Sequence, residues 1–424
     1  MDTIFAVSSG RPPAAIAVLR ISGPQAMAAA TALATTLPPP RRAGRRHLRA
    51  ADGSLIDQAL VLTFPAPATA TGEDLVELHL HGGRAVVAAA EKALGAMPGL
   101  RPALAGEFTR RALANGRIDL IQAQGIADLL EAETEQQHRL AIESSEGRVS
   151  QLVRGWMAEL SRLAALVEAA IDFDDEDDVS DADNELLDRD TEILRAQLAA
   201  VLARPSVERY REGIRVVLVG PTNAGKSSLF NALLGRDAAI VSPIAGTTRD
   251  RVEANVTRRG QAYTLVDTAG VRDDSADPIE RIGIDRARQA RAGADIVLDL
   301  DENAVGDDRT IAVHARADAR SDAPRPGTII TSCDDLASID RLWDEIDRRA
   351  NIILVLDGAP TFHRFQQDQI RIAATALEAS LASQDLLLRA EELRTASGAL
   401  ASLLGLDATE AMLDALFSRF CVGK

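Results

Sequence analysis

The hydrophobic pattern in the middle of the chain predicts a strand, a loop and a helix in succession. Residues 216–219 (Val-Val-Leu-Val) form a short apolar run of the kind found in buried strands, and residues 228–234 have helical spacing. Residues 252–256 then alternate between apolar and polar positions, before another apolar strand at residues 263–266. This succession of strands and helix predicts an α/β module.

Proline is absent from residues 103–204 and from residues 361–424. Because proline damages helix interiors, and because both segments carry apolar residues at helical spacing, we expect both to be helical. The α/β module lies between them, so it is predicted to be inserted into a discontinuous helical domain, with its two ends close together. The acidic run at residues 172–178 is expected to be an exposed loop between helices.

The first part of the chain has a different character. Residues 16–21 and 74–81 resemble strands, and Gly, Pro and Thr separate them from helical stretches, which predicts a separate α+β domain. The predicted domains are residues 1–117 (α+β), 118–208 (first helical part), 209–355 (inserted α/β module) and 356–424 (second helical part).

Composition limits the class of protein. The 424 residues have 46% hydrophobic content, and no apolar run approaches the length of a membrane span. Residues 1–4 (Met-Asp-Thr-Ile) lack the basic start and apolar core of a signal peptide. Cys333 and Cys421 form no metal-ligand or disulfide pattern, which favours a reducing compartment. We therefore expect a cytoplasmic protein without a membrane partner.

The net charge of −16 argues against nucleic-acid binding through the overall field of the protein. Any RNA contact would need a local basic patch. The best candidate is Arg41-Arg42, Arg45-Arg46-His47 and Arg49, which is otherwise interpreted as a solvated basic loop. An aromatic content of 3% argues against stacking platforms for single strands.

Residues 220–227 (Gly-Pro-Thr-Asn-Ala-Gly-Lys-Ser) match the phosphate-loop pattern G-x-x-x-x-G-K-S between the predicted strand and helix. In this context the backbone N–H groups of the loop and of the helix N-terminus point toward an anion. Lys226 can reach the outer phosphates of a nucleotide, and the Ser227 hydroxyl can hold Mg²⁺.

Two further elements follow in the order that GTPases use. Residues 246–250 (Gly-Thr-Thr-Arg-Asp) offer Thr248 to complete the Mg²⁺ shell and to sense the γ-phosphate. The strand at 263–266 runs into Asp267-Thr268-Ala269-Gly270, a D-x-x-G element whose aspartate can bond a Mg²⁺-bound water. Together with the phosphate loop, these elements indicate a GTPase.

Val271 stands where Ras-like enzymes carry a glutamine that orients the attacking water. Another group must therefore position the water and neutralise the charge of the transition state. Asn223 offers a side-chain oxygen suited to a monovalent cation, or it braces the loop. Glu280 is a candidate base acting through water, or an ordinary surface residue.

The element that reads guanine is incomplete. GTPases normally carry N-K-x-D, whereas this chain has Ala315-Arg316-Ala317-Asp318. Asp318 can accept from the guanine N–H groups, and Arg316 could stack over the base. Ser332-Cys333 replaces the usual Ser-Ala element. The short segment between Asp295 and Asp318 suggests that a helix is trimmed.

Three other segments carry a resemblance that spans the whole chain. They are residues 2–4 with 19–23, residues 73–83 with their His-Gly-Gly ending, and the C-terminal Phe-Cys-Val-Gly-Lys of residues 420–424. With the GTPase elements, they make the chain resemble the MnmE (TrmE) family of tRNA-modification GTPases.

The resemblance implies a multidomain α+β and α/β fold. It consists of an N-terminal α+β folate-binding and dimerisation domain, a discontinuous all-α helical domain, and an inserted Ras-like P-loop GTPase domain. The implied cofactors are GTP, Mg²⁺, K⁺ and 5-formyl-tetrahydrofolate or a related tetrahydrofolate. The implied partners are a second copy of the chain, a flavoprotein subunit in a heterotetramer-type complex, and tRNA. The family adds an aminomethyl or carboxymethylaminomethyl group at C5 of the wobble uridine.

The family motifs also imply site residues. Those implied to bind GTP are Asn223, Ala224, Gly225, Lys226, Ser227, Ser228, Ser242, Pro243, Ile244, Ala245, Gly246, Thr247, Thr248, Asp267, Thr268, Ala269, Gly270 and Asp318. Those implied to hold metals are Ser227 and Thr248 for Mg²⁺, and Asn223, Ser242, Ile244 and Thr247 for K⁺. Glu280 and Lys226 would be catalytic.

The implied folate-binding residues are Arg20, Glu77, Arg117 and Lys424. Arg117 stands where the family usually has lysine, so the charge is kept but its geometry changes to a planar fork. Cys421 matches the cysteine of the family's C-terminal tail, and its role is left open.

Two alternatives remain beside a GTP-hydrolysing subunit of a tRNA-modifying complex. One is a ribosome-assembly GTPase that binds RNA without modifying it, although such proteins usually add a recognisable RNA-binding module. The other is a folate- and partner-binding scaffold whose nucleotide domain has lost GTP use, which the incomplete N-K-x-D element suggests.

Overall fold

The computed structural model describes residues 2–172, 181–221, 223–235, 239–240, 252–267, 291–301, 303–320, 323–354, 359–406 and 409–423. The chain divides into two compact units. The first comprises Met1–Leu130, Ser144–Met157 and Leu400–Lys424, and the second comprises Glu131–Glu143 and Ala158–Ala399. Each unit therefore combines segments that are distant in sequence.

A six-stranded sheet forms the centre of the first unit. Its strands are β1 (Thr3–Val7), β2 (Ile16–Ser22), β3 (Gly44–Arg49), β4 (Leu55–Phe64), β5 (Leu75–His81) and β6 (Leu100–Pro102). The spatial order is β3-β4-β5-β2-β1-β6, antiparallel except for the parallel pair of β1 and β6. The strands predicted at residues 16–21 and 74–81 are β2 and β5.

Alternation along these strands separates two faces of the sheet. Leu19, Ile21 and Leu78 point into a core that is shared with helices α1 (Ala26–Ala34) and α2 (Arg84–Gly95). On the opposite face, Arg20 of β2 lies directly across from Glu77 of β5. We call this second face the open face: Phe108 covers it at Ile4 and Ala6, and elsewhere it carries charged side chains on rigid strands.

Residues 44–49 form an edge strand and continue the sheet. The interpretation of this basic segment as a loop is therefore wrong for these six residues. Only Leu48 of β3 is buried in the core, and the side chains of Arg45 and Arg49 are exposed.

Helices occupy the segments that lack proline. They are α3 (Glu107–Ala114), α4 (Leu120–Glu131), α5 (Glu135–Ser145), α6 (Arg148–Asp172) and α7 (Asp181–Leu202), and, after the second sheet, α11 (Arg364–Ala382), α12 (Leu386–Leu403) and α13 (Glu410–Phe417). The short helix α8 (Val207–Glu212) follows Pro205. In the first unit, α4 packs against the final helix α13 through Leu120 and Phe417. In the second unit, α7 packs against α11. Residues 173–178 of the acidic run lie outside the described residues.

A seven-stranded sheet forms the centre of the second unit. Its strands are β7 (Ile214–Val219), β8 (Ala239–Ile240), β9 (Val252–Arg258), β10 (Gln261–Asp267), β11 (Ile296–Asp299), β12 (Thr310–His314) and β13 (Ile329–Ile330), in the spatial order β13-β12-β11-β7-β10-β9-β8. The five strands from β13 to β10 are parallel. Helices α9 (Lys226–Leu234) and α10 (Leu336–Leu354) pack on the apolar face formed by residues such as Val216, Leu218 and Leu298. The predicted α+β and α/β architecture is confirmed.

The parallel strands β11 and β12 are joined by residues 300–309, and the described part of this connection contains no helix. This agrees with the prediction of a trimmed helix. The carboxyl ends of β7, β10 and β12 lie at one edge of the sheet, so the segments that follow them lie close together. None of the helices in the described ranges is long and apolar enough to cross a membrane.

Candidate functional site

The phosphate loop lies between β7 and α9, as the sequence predicts. Gly225 adopts a left-handed backbone with φ of 92°, and it is the N-cap residue of α9 without any side-chain cap. A Cβ atom on Gly225 would lie 3.0 Å from the side-chain carbons of Arg316. The backbone conformation therefore favours glycine, and a larger residue would also have to displace the Arg316 side chain. The first N–H groups of α9 have no partner within the helix, and they can receive an anion.

Lys226 is held within this loop. Its side chain is only 7% exposed, and its Nζ atom donates to the carbonyl oxygens of Gly220 at 2.8 Å and Pro221 at 2.7 Å. These bonds place a positive charge beside the N-terminus of α9. The arrangement suits a lysine that contacts the outer phosphates of a nucleotide.

Ser227, in the first turn of α9, meets Asp267 at the carboxyl end of β10. Strand β10 pairs in parallel with β7, and the Ser227 hydroxyl donates to Asp267 Oδ2 at 2.7 Å. Asp267 is 4% exposed. Hard oxygen donors of this kind suit Mg²⁺, which usually keeps several waters and binds substrate phosphates through only one or two protein ligands. Accordingly, no group of three or more His, Cys, Asp and Glu side chains in the described ranges could hold a metal.

The incomplete guanine-reading element follows β12. The Ser332 hydroxyl donates to Asp318 Oδ1 at 2.7 Å, and this bond holds the pKa of the exposed Asp318 carboxyl below its ordinary value. The backbone N–H of Ser332 in turn donates to Ser338 Oγ at 3.0 Å. The Ser-Cys element therefore orients the surviving aspartate of this motif, which stays ionised at neutral pH.

A buried hydroxyl close to this element has no partner among the described residues. Thr331 is 1% exposed, and its Oγ1 atom has no hydrogen bond among the residues that the structure describes. The Thr331 backbone donates to the His314 carbonyl and accepts from the Ala317 N–H, so Thr331 lies beside the buried Ala315. A buried unpaired hydroxyl is costly, and an asparagine at position 315 could pair with it. Sequence reasoning identified the missing asparagine but not this unpaired group.

Arg316 contacts the phosphate loop. Its Nη1 atom donates to the Asn223 carbonyl at 3.2 Å, and its aliphatic carbons cover Gly225. Arg316 and Asn223 both have positive φ angles, of 59° and 62°. Sequence reasoning predicted that Arg316 would stack over a base, whereas here its guanidinium is directed to the loop backbone.

Several predicted site residues lie outside the described residues. They are Ser242, Pro243, Ile244, Ala245, Gly246, Thr247, Thr248, Thr268, Ala269, Gly270, Glu280 and Lys424. Their assignments stay predictions. Ala224 and Ser228 are described and lie on the phosphate loop and in the first turn of α9.

In the first unit, Arg20 and Glu77 form an ion pair on the open face of the sheet. Arg20 donates to Glu77 Oε1 from Nη2 at 2.8 Å and from Nε at 3.2 Å. Burial alone would raise the pKa of Glu77, but Arg20 and His79 outweigh it and lower that pKa. Arg20 also lies over the Phe108 ring, 5.8 Å from its centroid. This partly buried pair can orient a polar ligand.

Another predicted folate-binding residue, Arg117, follows α3 and contacts the loop between β4 and β5. Its Nε atom donates to the Thr69 carbonyl at 3.2 Å, and its stem covers Gly72. A network that sequence reasoning missed anchors the same loop, because Ser22 Oγ donates to Glu73 Oε2 at 2.8 Å and Arg111 pairs with Glu73 at 3.1 Å. Arg117 thus bonds to the backbone of this loop and not to Glu77.

The C-terminal tail lies against the end of β1. Val422 forms a β-bridge with Ala105, and Ser8 Oγ donates to the Gly423 carbonyl at 2.7 Å. A Cβ atom on Gly423 would lie 2.1 Å from the Val7 carbonyl oxygen, so only glycine fits there. Val7 pairs with Leu19, the neighbour of Arg20. Cys421 is an exposed free thiol beside this contact.

Comparison with known proteins agrees with this architecture. The sequence model described as "GTP-binding protein TrmE N-terminus" matches residues 3–117, and the one described as "MnmE helical domain" matches residues 120–421. Three relatives, each called "tRNA modification GTPase MnmE", are similar along their whole length.

The relative from Erythrobacter litoralis (strain HTCC2594) is 51% identical, with all of both chains covered. That from Sphingopyxis alaskensis (strain DSM 13593 / LMG 18877 / RB2256) is 50% identical over 96% of this chain and all of its own length. That from Novosphingobium aromaticivorans (strain ATCC 700278 / DSM 12444 / CCUG 56034 / CIP 105152 / NBRC 16084 / F199) is 48% identical, again with both chains fully covered. The resemblance inferred from sequence motifs is confirmed, and the chain belongs to the MnmE (TrmE) family.

Proposed function

We propose that this protein is a GTPase and the GTP-hydrolysing subunit of a complex that modifies C5 of the wobble uridine in tRNA. The observation that carries the proposal is the arrangement of Lys226, Ser227 and Asp267 at one edge of the parallel sheet. Full-length relatives at 48–51% identity, called tRNA modification GTPases, support the tRNA role. The group added to the uridine is a carboxymethylaminomethyl or aminomethyl group.

The residues of the phosphate loop bind and orient the nucleotide. The N–H groups at the start of α9 donate to the phosphate oxygens. The Lys226 ammonium group gives up its hydrogen bonds to the loop carbonyls and donates to the outer phosphates instead. Ser227 and Asp267, already 2.7 Å apart, hold Mg²⁺ and its water together with Thr248. Asp318, oriented by Ser332, accepts from the guanine N–H donors.

Water activation falls to groups other than residue 271, because valine has no hydrogen-bonding side chain. Glu280 acts as a base through water. Asn223 contributes its side-chain oxygen to a K⁺ site, together with Ser242, Ile244 and Thr247. When bound, Mg²⁺ and K⁺ supply positive charge that stabilises the developing charge on the phosphoryl group.

The folate site lies on the open face of the first unit. Arg20 and Glu77 offer a donor fork and a carboxylate to the polar groups of a tetrahydrofolate such as 5-formyl-tetrahydrofolate. The contact of Gly423 with Ser8 supports a role for Lys424, the next residue, at the same site. Arg117 completes the proposed set from the neighbouring loop.

The proposed assembly is a homodimer through the N-terminal domain, joined by a flavoprotein subunit, in the cytoplasm. Ile16 and Leu60 are 58% and 46% exposed on strands of the open sheet, which supports burial against a second copy. Both cysteines are free and exposed, as suits a reducing compartment.

The test is hydrolysis of GTP by the purified protein in KCl and in NaCl, with ATP as comparator. We expect faster GTP turnover in K⁺, no comparable ATP turnover, and loss of the K⁺ advantage in Asn223→Ala. Absence of nucleotide binding would favour the alternative that the incomplete N-K-x-D element suggests, a folate- and partner-binding scaffold. Equal rates of GTP turnover in KCl and NaCl would overturn only the proposed K⁺ site.

A further inference from the structure

The beginning of the chain has an unusual charge distribution. Residues 3–51 contain seven arginines, no lysine and no acidic residue, although the whole chain has a net charge of −16. Five of these arginines fall within nine positions. We call this group the basic edge, and its members are Arg41, Arg42, Arg45, Arg46 and Arg49.

The basic edge lies along the border of the six-stranded sheet. Its last three members belong to β3, which is the outermost strand beside β4. The side chains of Arg42, Arg45 and Arg49 are exposed. At a rise of about 3.3 Å per residue, the distance from Arg45 to Arg49 is roughly 13 Å. The positive charge is therefore spread along a rigid, extended line.

Carboxylates do not neutralise this line. Across the β3–β4 pair, Arg45 faces Leu60, Arg46 faces Ala59 and Arg49 faces Leu55. None of the five arginines has an ion pair with an acidic residue in the described part of the chain. Asp52 and Asp57 accept hydrogen bonds from Ser54 and His81, and not from arginines of the basic edge.

Backbone carbonyls hold three of these guanidinium groups instead. Arg46 Nε donates to the Thr36 carbonyl at 2.8 Å, and Arg49 Nη1 donates to the Gly53 carbonyl at 2.8 Å. Arg41 donates to the Ala68 carbonyl and lies over the Phe64 ring. A carbonyl fixes the direction of a guanidinium but leaves its charge intact. The basic edge is thus partly preorganised for an external anion.

We propose that the basic edge binds the sugar-phosphate backbone of tRNA. This inference rests on the proposed function, and it assigns to β3 the surface that receives the RNA. Guanidinium groups pair with phosphates through two parallel hydrogen bonds, and a row of them suits a polyanion. The segment contains no Phe, Tyr or Trp on which a base could stack. The basic edge therefore supplies affinity without sequence selection, which must come from elsewhere in the complex.

The experiment measures binding of unfractionated tRNA to the full-length chain at several KCl concentrations. The triple variant Arg42→Gln, Arg45→Gln, Arg49→Gln should bind tRNA at least tenfold more weakly at low salt. A plot of the logarithm of affinity against the logarithm of KCl concentration should become shallower by about 2. Each of the three lost phosphate contacts removes roughly 0.7–0.9 from the magnitude of its slope. The loss should be similar for all tRNAs.

Two control variants separate this effect from general changes of charge or folding. Arg348→Gln, Arg371→Gln, Arg394→Gln removes the same charge from arginines that pair with carboxylates on their own helices, and it should retain tRNA binding. Replacing the three basic-edge arginines with lysine should retain most binding. GTP turnover without tRNA should be unchanged in all variants, which checks that each one folds.

The outcomes distinguish this inference from the proposed function. If the wild-type chain binds tRNA and the basic-edge glutamine variant binds it with equal affinity and slope, the inference is overturned and the proposed function stands. If the wild-type chain binds no tRNA even with the flavoprotein subunit present, both are overturned. If the glutamine variant keeps tRNA binding but loses the flavoprotein subunit, the surface serves an acidic protein and the inference is wrong.

Discussion

The hydroxyl of Ser8 donates to the carbonyl oxygen of Gly423 at 2.7 Å, although 415 positions separate the two residues in sequence. This bond and the bridge between Ala105 and Val422 fix the tail beside β1. The tail thus comes within one strand position of Arg20, since Val7 pairs with Leu19. A proposed ligand group at position 424 therefore has a defined anchor.

Deleting Lys424 should weaken binding of 5-formyl-tetrahydrofolate about tenfold, because a charged hydrogen bond contributes roughly 1.5–3 kcal/mol. Gly423→Ala should have a similar effect, since its Cβ atom would collide with the Val7 carbonyl. Calorimetric titration measures both. Val422→Ala, at a side chain that is 55% exposed, is the control and should bind normally. Unchanged affinity in the deletion would exclude the tail from the site.

Glu77→Gln should reduce folate affinity about tenfold and leave GTP turnover unchanged. The substitution removes the charge that holds Arg20 and removes the carboxylate offered to the ligand. Glu91→Gln, on an exposed position of α2, is the matched control. Fluorescence or calorimetric titration with tetrahydrofolate decides the outcome. Equal affinities of the two variants would show that Glu77 has a structural role only.

Ser227→Ala should lower GTP turnover by at least about 10²-fold, and the residual activity should need more Mg²⁺. The change removes a proposed ligand and takes a hydrogen bond from the buried Asp267 carboxylate. Ser227→Thr keeps the hydroxyl and should remain active. Turnover is measured across a Mg²⁺ titration. Full activity of the alanine variant would contradict the assignment.

Ala315→Asn together with Arg316→Lys should tighten GTP binding several-fold more than ATP binding. The new amide can contact the base and can pair with the unpartnered Thr331 hydroxyl, a gain of about 0.5–1.5 kcal/mol. Competition binding with both nucleotides measures the preference. Adding Thr331→Val tests the reason: it should be nearly silent in the wild-type chain but should cancel part of the gain in the asparagine variant.

Glu208→Gln should destabilise the second unit by about 1–2 kcal/mol at pH 7. Burial would raise the pKa of Glu208, but the bond to His363 at 2.9 Å and the Arg364 backbone N–H outweigh it and lower that pKa to about 2. Solvent screens part of this interaction, since the Glu208 side chain is 30% exposed.

A carboxyl with a lowered folded-state pKa contributes stability above its unfolded value near 4.5, and this contribution is lost as pH falls toward 2. Urea unfolding of wild type and Glu208→Gln should therefore differ at pH 7 and converge in acid. Glu212→Gln, at a more exposed pair with Arg364, should cost less than 1 kcal/mol. A wild-type advantage that persisted unchanged at pH 2.5 would contradict this account.

The sequence predicted the elements whose signals are local. The phosphate loop follows an apolar strand, and proline-free segments are helical, because these patterns act within a few residues. The guanine-reading element shows the limit. Its missing asparagine was visible at Ala315, but the unpaired Thr331 hydroxyl and the turn of Arg316 toward Asn223 depend on backbone placement across the sheet.

The strand at residues 44–49 was not predicted, because four of its six residues are arginine or histidine and lack the apolar alternation of a strand. Its structure depends on pairing with β4, which is distant from any local signal.

The discontinuity of the first unit has a consequence for synthesis on the ribosome. Residues 1–130 emerge early, but the segment 400–424 that completes their unit is translated only after the whole second unit. Until then, Leu120 and Ala123 of α4 lack Phe417 and Phe420, their packing partners in the finished protein. The nascent chain therefore leaves an apolar patch of α4 uncovered through most of its translation, and such exposed apolar surface makes a partly folded chain prone to aggregation.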